Sequence, residues 1–129
     1  MNTKLIMMLS AAFLAFTGMG LTFFPQEIAV ASGLGFTKAF QLILQILGAL
    51  FFAFAMLNWM AKGSIIGGIY NRPIVLANLA HFFIGGLALI KALIGNFNLP
   101  SHIWILAVIY SVFTVLFGIL FSRHPSIQS

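Results

Sequence analysis

The sequence predicts an all-α protein, an integral membrane up-down four-helix bundle, on three observations. Of its 129 residues 62% are hydrophobic and 5% charged. Mean hydropathy is +1.14, and four apolar runs of roughly 20 residues are separated by short stretches bearing Gly, Pro and Asn. A surface so poor in charge cannot keep a soluble domain in solution. The expected spans fall at residues 5–24, 38–61, 74–94 and 103–121, and together they make one transmembrane domain over 1–129.

The first run follows Lys4 and has the look of a signal peptide, with Ala29-Val30-Ala31 imitating a cleavage site. Its apolar length exceeds the roughly 7–15 residues of an h-region, and Pro25, Gln26 and Glu27 intervene, so an uncleaved first helix is expected. Residues 25–37 are expected to form a loop, Pro25 stopping the helix and Gly33 and Gly35 permitting turns. Gly33-Leu34-Gly35 lacks the strand and helix that would make it a phosphate loop. On the second span Gln41, Gln45, Gly48, Ala55, Asn58 and Trp59 share one face, which should look inward. A Gly-rich loop over 62–72 leads to the third span. There Pro73 suits a first helical position, and only Asn78, His81 and Lys91 are strongly polar. Asn96, Asn98 and Pro100 turn the chain again. Ala107, Ser111, Thr114 and Gly118 then recur on the fourth span at four- and three-residue spacing, a stripe suited to close packing. The polar tail after residue 121 should fray.

Lys4, Lys62, Arg72 and Arg123 fall on one side of these spans, and Lys38, Lys91 and Glu27 on the other. The excess of cations marks the first side as cytoplasmic, which gives an N-in, C-in topology in a bacterial-type cytoplasmic membrane. Trp59 and Trp104, near opposite ends of their helices, are expected at the two interfaces, as are Arg72 and Lys91.

Unpartnered polar groups in hydrocarbon cost several kcal/mol, roughly, so the polar residues should turn toward one another. Matching their depths predicts a cluster of Ser10, Asn58, Asn78 and His81 in the cytoplasmic half, with Thr17 and Thr114 near His81. Two readings of this cluster stand. The four side chains are either interhelical glue, or a ligand site in which His81 binds a polar headgroup or carries a proton while Asn58 and Asn78 fix its tautomer or contact the ligand. Phe82 and Phe83, beside His81, either pack or wall an apolar pocket. Gly85-Gly86 permits close helix approach within the bundle or at a homodimer contact.

Several chemistries are disfavoured by residue type. Zero cysteines remove disulfides, thiolate nucleophiles and thiol–quinone exchange. A single carboxylate, Glu27, leaves no paired acids for hydrolysis and none within a span for proton-coupled export. It also leaves a Ser10–His81 pair without an orienting acid. His102 and His124 lie near opposite faces, so neither a metal site nor bis-histidine haem is expected, and no cofactor or catalytic residue is assigned. The +5 formal charge comes from scattered cations, which suits anionic lipid headgroups and not a nucleic acid.

The first helix ends Gly20-Leu21-Thr22-Phe23-Phe24-Pro25 before a short Gly-bearing loop. Gly48 lies within the second helix, and Asn71-Arg72-Pro73 opens the third. With the hydropathy pattern, these features resemble the small bacterial four-helix inner-membrane proteins of the DoxX-like kind. That resemblance implies a helical-bundle membrane protein, sometimes accessory to membrane or redox physiology, and transfers no site. The function expected is non-enzymatic: an accessory protein, or one binding a lipid or small apolar ligand, in company with membrane lipids and a homodimer or partner membrane protein. The alternative is a dimeric small-solute transporter or channel using the polar face around His81.

Overall fold

The computed structural model describes residues 2–64 and 71–123. Its elements, in order, are α1 (Thr3–Phe23), α2 (Pro25–Ala31), α3 (Lys38–Ala61), α4 (Arg72–Gly95) and α5 (Ser101–Ser122). The fold is all-α, and four of the helices are long and apolar enough to cross a membrane. At 1.5 Å per residue their 21 to 24 residues reach about 32–36 Å, against a hydrocarbon core of about 30 Å. These four helices coincide with the apolar runs at 5–24, 38–61, 74–94 and 103–121, with ends displaced by no more than two residues. The expected loop at 62–72 falls largely on 65–70, and the tail with His124 falls beyond 123, both outside the described residues.

Local chemistry explains the helix ends. The Asn2 side chain accepts a hydrogen bond from the Leu5 N–H at 3.2 Å, and Thr37 does the same for Phe40 at 3.1 Å, so α1 and α3 begin on capping residues. Pro25 bars its predecessor from helical geometry and ends α1. The segment after it is a correction to the expected loop: Pro25 is the first residue of the seven-residue helix α2. A proline that stops one helix is already set to start the next. Glu27 stands in the first turn of α2, where the helix dipole favours a carboxylate. The helix closes at Gly33, which has φ +69. The Gly33 N–H donates to the Val30 carbonyl at 3.0 Å, and the Leu34 N–H to that of Ala29 at 2.9 Å, the paired bonds of a Schellman cap. Pro73, expected at the first position of its helix, is second there, after Arg72.

The chain divides into two compact units, Met1–Lys62 and Gly63–Ser129. In the first, α1 packs antiparallel on α3, and Gly18 meets Gly48. A Cβ on Gly18 would stand 2.8 Å from the Gly48 carbonyl oxygen, and one on Gly48 would stand 2.7 Å from that of Gly18. The two backbones therefore touch with nothing between them. Ile6, Met7, Leu14, Leu21, Leu44 and Phe51 fill the rest of this seam.

The second unit is an antiparallel pair of α4 and α5 built the other way, with small residues on one helix and large ones on its partner. Gly86 lies under Tyr110, where a Cβ would be 3.6 Å from the Tyr110 Cβ. The fully buried Phe82 stacks on Phe113 at 4.8 Å and on Phe117 at 5.8 Å between ring centroids. This corrects the expected small-residue stripe on α5. Ala107 is buried, but Ser111, Thr114 and Gly118 lie at the margin of a seam made by Tyr110, Phe113, Phe117 and Leu120. The Ser111 and Thr114 hydroxyls donate to their own helix, to the carbonyls of Ala107 and Tyr110, each at 2.7 Å. Close approach requires small residues on only one of two helices, and α4 supplies them.

Candidate functional site

Ser10 on α1 and Asn58 on α3 are both fully buried. The Asn58 Nδ2 donates to the Ser10 Oγ at 3.0 Å, and that hydroxyl donates to the Met7 carbonyl at 3.0 Å. An amide on one helix is thus tied through a hydroxyl to the backbone of the other. Asn78 on α4, also fully buried, donates from Nδ2 to the Ile74 carbonyl at 2.9 Å. Among the described residues every buried side-chain nitrogen or oxygen has a hydrogen-bond partner. Of the four residues expected to cluster, Ser10 and Asn58 are brought together in the first unit, and Asn78 and His81 share α4 in the second.

His81, half-buried, has the partner that sequence reasoning missed: its Nε2 lies 3.1 Å from the Tyr110 hydroxyl. Tyr110 gives little polar signal in the sequence, where tyrosine is counted among the hydrophobic residues. A signal was nonetheless present, since Gly86 and Tyr110 lie equally far along the chain from Asn98 in the turn, and an antiparallel pair brings such residues level. The missing side chain of Gly85 makes room for the tyrosine ring, for a Cβ there would stand 2.5 Å from the Tyr110 Cε1. The Phe82 ring meets those of His81 and Tyr110 edge-on at 5.0 and 5.2 Å. Phe82 is therefore core, whereas Phe83 is 49% exposed. Thr114 and Thr17, expected near His81, hydrogen-bond their own helices, Thr17 donating to the Phe13 carbonyl at 2.9 Å.

Of the expected interfacial residues, Trp59, Arg72 and Trp104 carry aromatic contacts near the helix ends. The Lys62 Nζ sits 3.2 Å over the Trp59 ring, and the Arg72 guanidinium 4.8 Å over that of Phe121, cation–π arrangements suited to a membrane boundary. Trp59 is 51% exposed, so its expected inward orientation is corrected. It lies beyond the edge of the buried face defined by Gly48, Ala55 and Asn58. Trp104 stacks with Phe97 at 6.3 Å near the other end of its hairpin, and Lys91 is exposed. Of the expected inward glutamines, Gln41 and Gln45 are half-buried, and the Gln45 Nε2 donates to the Thr22 carbonyl at 3.4 Å.

Open apolar grooves run along the helix seams. Two adjoin on the α1–α3 unit. One, of about 330 Å³, has Ala11, Ala12, Ala15 and Ala55 as its floor and Trp59 and Met60 at its mouth. The other, of about 460 Å³, extends from Gly18 and Ala49 to Thr22 and Phe23. Phe52 and Met56 line both. A third, of about 370 Å³, lies between α4 and α5 from Ser111 to Phe97 and Trp104. No polar side chain but the hydroxyls of Thr22 and Ser111 and the Trp59 and Trp104 indoles lines any of them.

Comparison of the chain with protein-family models, with curated proteins and with solved structures gives no match.

The Ser10–Asn58 bond permits a direct test of the glue reading. A double-mutant cycle of Ser10→Ala and Asn58→Leu, followed by unfolding in mixed micelles, is expected to give a coupling of about 0.6–1.7 kcal/mol, the range for interhelical bonds in lipid. Coupling near zero would show that Ser10 is satisfied by the Met7 carbonyl alone.

Proposed function

We propose that this four-span chain is a non-enzymatic membrane protein that holds a lipid or small apolar ligand in the open grooves along its helix seams. The observation that supports this reading is the continuous alanine- and glycine-floored groove system on the α1–α3 unit. Small residues in lipid normally draw a second helix against them. Here a run of them beside the seam is left open within the unit and accepts something as narrow as an acyl chain. The buried polar groups, in contrast, already hold protein partners, which favours their role as interhelical glue. The one carboxylate, Glu27, sits in α2 and not in a long helix, so no acid is placed for hydrolysis within a span. An accessory lipid-binding role in a bacterial-type inner membrane, with both termini cytoplasmic, accords with what the DoxX-like resemblance implies. Within each unit the ends agree: Lys4 and Lys62 lie at one end, opposite Glu27 and Lys38, and Arg72 and Arg123 share an end.

A second reading, a dimeric small-solute transporter or channel, draws on the His81–Tyr110 pair, two ionisable groups in contact inside a span. Native mass spectrometry of the gently released protein separates the two. The expected result is a lipid-sized mass on the wild type that survives His81→Ala and is lost on Ala12→Phe, which fills the groove from an exposed position. Loss on His81→Ala instead would favour the second reading. A chain without bound mass under all conditions would overturn the first.

A further inference from the structure

The lipid-binding reading leaves the kind of lipid open, and the charges around the first groove narrow it. Ala11 and Ala15 form part of its floor, and Lys4 lies in line with them on α1, the three positions falling within about 40° at 100° per residue. On the other wall the stripe of Phe52, Met56 and Trp59 continues at the end of α3 into Lys62, whose Nζ rests on the Trp59 ring. Because α1 and α3 are antiparallel, both lysines stand at the same end of the unit, beyond Ala11 and Met60, while Glu27 is at the opposite end, in α2. Both cations thus lie beyond one end of the groove, and the unit's carboxylate is at the other end of the unit.

The groove's dimensions agree with one leaflet. From Met60 to Phe52 it runs about 12 Å at 1.5 Å per residue, within the roughly 15 Å that is half of a hydrocarbon core. Phe52 and Met56 line the neighbouring groove as well, which carries the apolar surface on toward Gly18. We infer that this groove is a site for an anionic phospholipid of the leaflet on the Lys4 and Lys62 side, one acyl chain lying on the alanine floor and the phosphate held between the two ammonium groups. The inference rests on the lipid-binding reading and adds to it the headgroup charge, the leaflet and the recognising residues. Alanines provide a smooth channel at no cost in side-chain ordering. Trp59 marks the depth at which chain gives way to headgroup, where its indole N–H can reach water or ester oxygens.

The test uses the full chain in phosphatidylcholine vesicles, with Trp104→Phe so that Trp59 is the only indole, since the sequence has two tryptophans. Chain-brominated phosphatidylglycerol and chain-brominated phosphatidylcholine are compared as quenchers. Phosphatidylglycerol is expected to win by about fivefold for each lysine near the surface. Lys4→Gln and Lys62→Gln should each remove that factor, the double variant should bring the two lipids to parity, and Ala12→Phe should weaken quenching by both. Equal quenching in the parent would overturn the anionic preference while leaving lipid binding intact. Quenching indifferent to Ala12→Phe would overturn the placement in this groove. Failure of either lipid to quench, together with a cross-linked dimer, would show the groove to be covered by a second copy and overturn the inference.

Discussion

Replacing Gly18 by alanine is expected to destabilise the α1–α3 unit by about 1–3 kcal/mol, the cost of forcing volume into a seam already closed. The added Cβ would stand 2.8 Å from the Gly48 carbonyl oxygen and 2.9 Å from the Phe52 amide nitrogen. Both are backbone atoms, so neither can swing aside, and the helices must part. Gly48→Ala acts on the same approach, meeting the Thr22 hydroxyl at 2.5 Å as well as the Gly18 carbonyl. The double variant should therefore cost less than the sum of the singles, because the helices need to separate only once. Gly20→Ala is the control, since its Cβ would meet only the end of the Ile28 side chain at 3.5 Å. Unfolding in bicelles by steric trapping measures all four. A Gly18→Ala protein as stable as Gly20→Ala would mean that the seam yields without penalty. Separation of the helices should also widen the alanine-floored groove, so lipid retention and stability are expected to change together.

Phe82→Ala is expected to destabilise the α4–α5 unit by about 3 kcal/mol, at the low end of the range for aromatic truncation in soluble cores. The reduction has a physical reason. Lipid solvates an exposed ring almost as well as a protein core does, so packing is lost but little hydrophobic transfer energy. Phe82 is fully buried and touches the rings of His81, Tyr110, Phe113 and Phe117, and the cavity left by its removal opens beside the His81–Tyr110 bond. Phe83→Ala, one residue on and half exposed, should cost under about 0.5 kcal/mol. Equal effects at the two positions, measured by the same unfolding method, would show that the stacked rings hold no more than lipid contact would.

These neighbouring phenylalanines show where sequence reading stops. Both sit in one apolar run and score alike on any hydropathy scale, yet one is core and the other faces outward, a matter settled by the side of α4 on which α5 lies. The small-residue stripe on α5 failed for the same reason. It is a real periodicity, but Gly85 and Gly86 on the other helix already allow the close approach, and α5 turns its aromatic residues inward. Pro25 shows a local limit: its power to end a helix is legible, but whether it also begins one depends on the residues that follow it.

The sequence alone determined the four long helices, their limits to within two residues, the lack of acids in them and the positions of the cations and tryptophans at their ends. These follow from local hydropathy and from capping and proline chemistry, which act within a few residues along the chain. The tertiary structure decided the pairings: Asn58 with Ser10, His81 with Tyr110, Gly18 against Gly48, and the open groove between Ala11, Ala15 and Trp59. Each depends on the rotation and register of two helices, which are fixed by the fit of side chains from distant parts of the chain and only weakly encoded in either helix by itself.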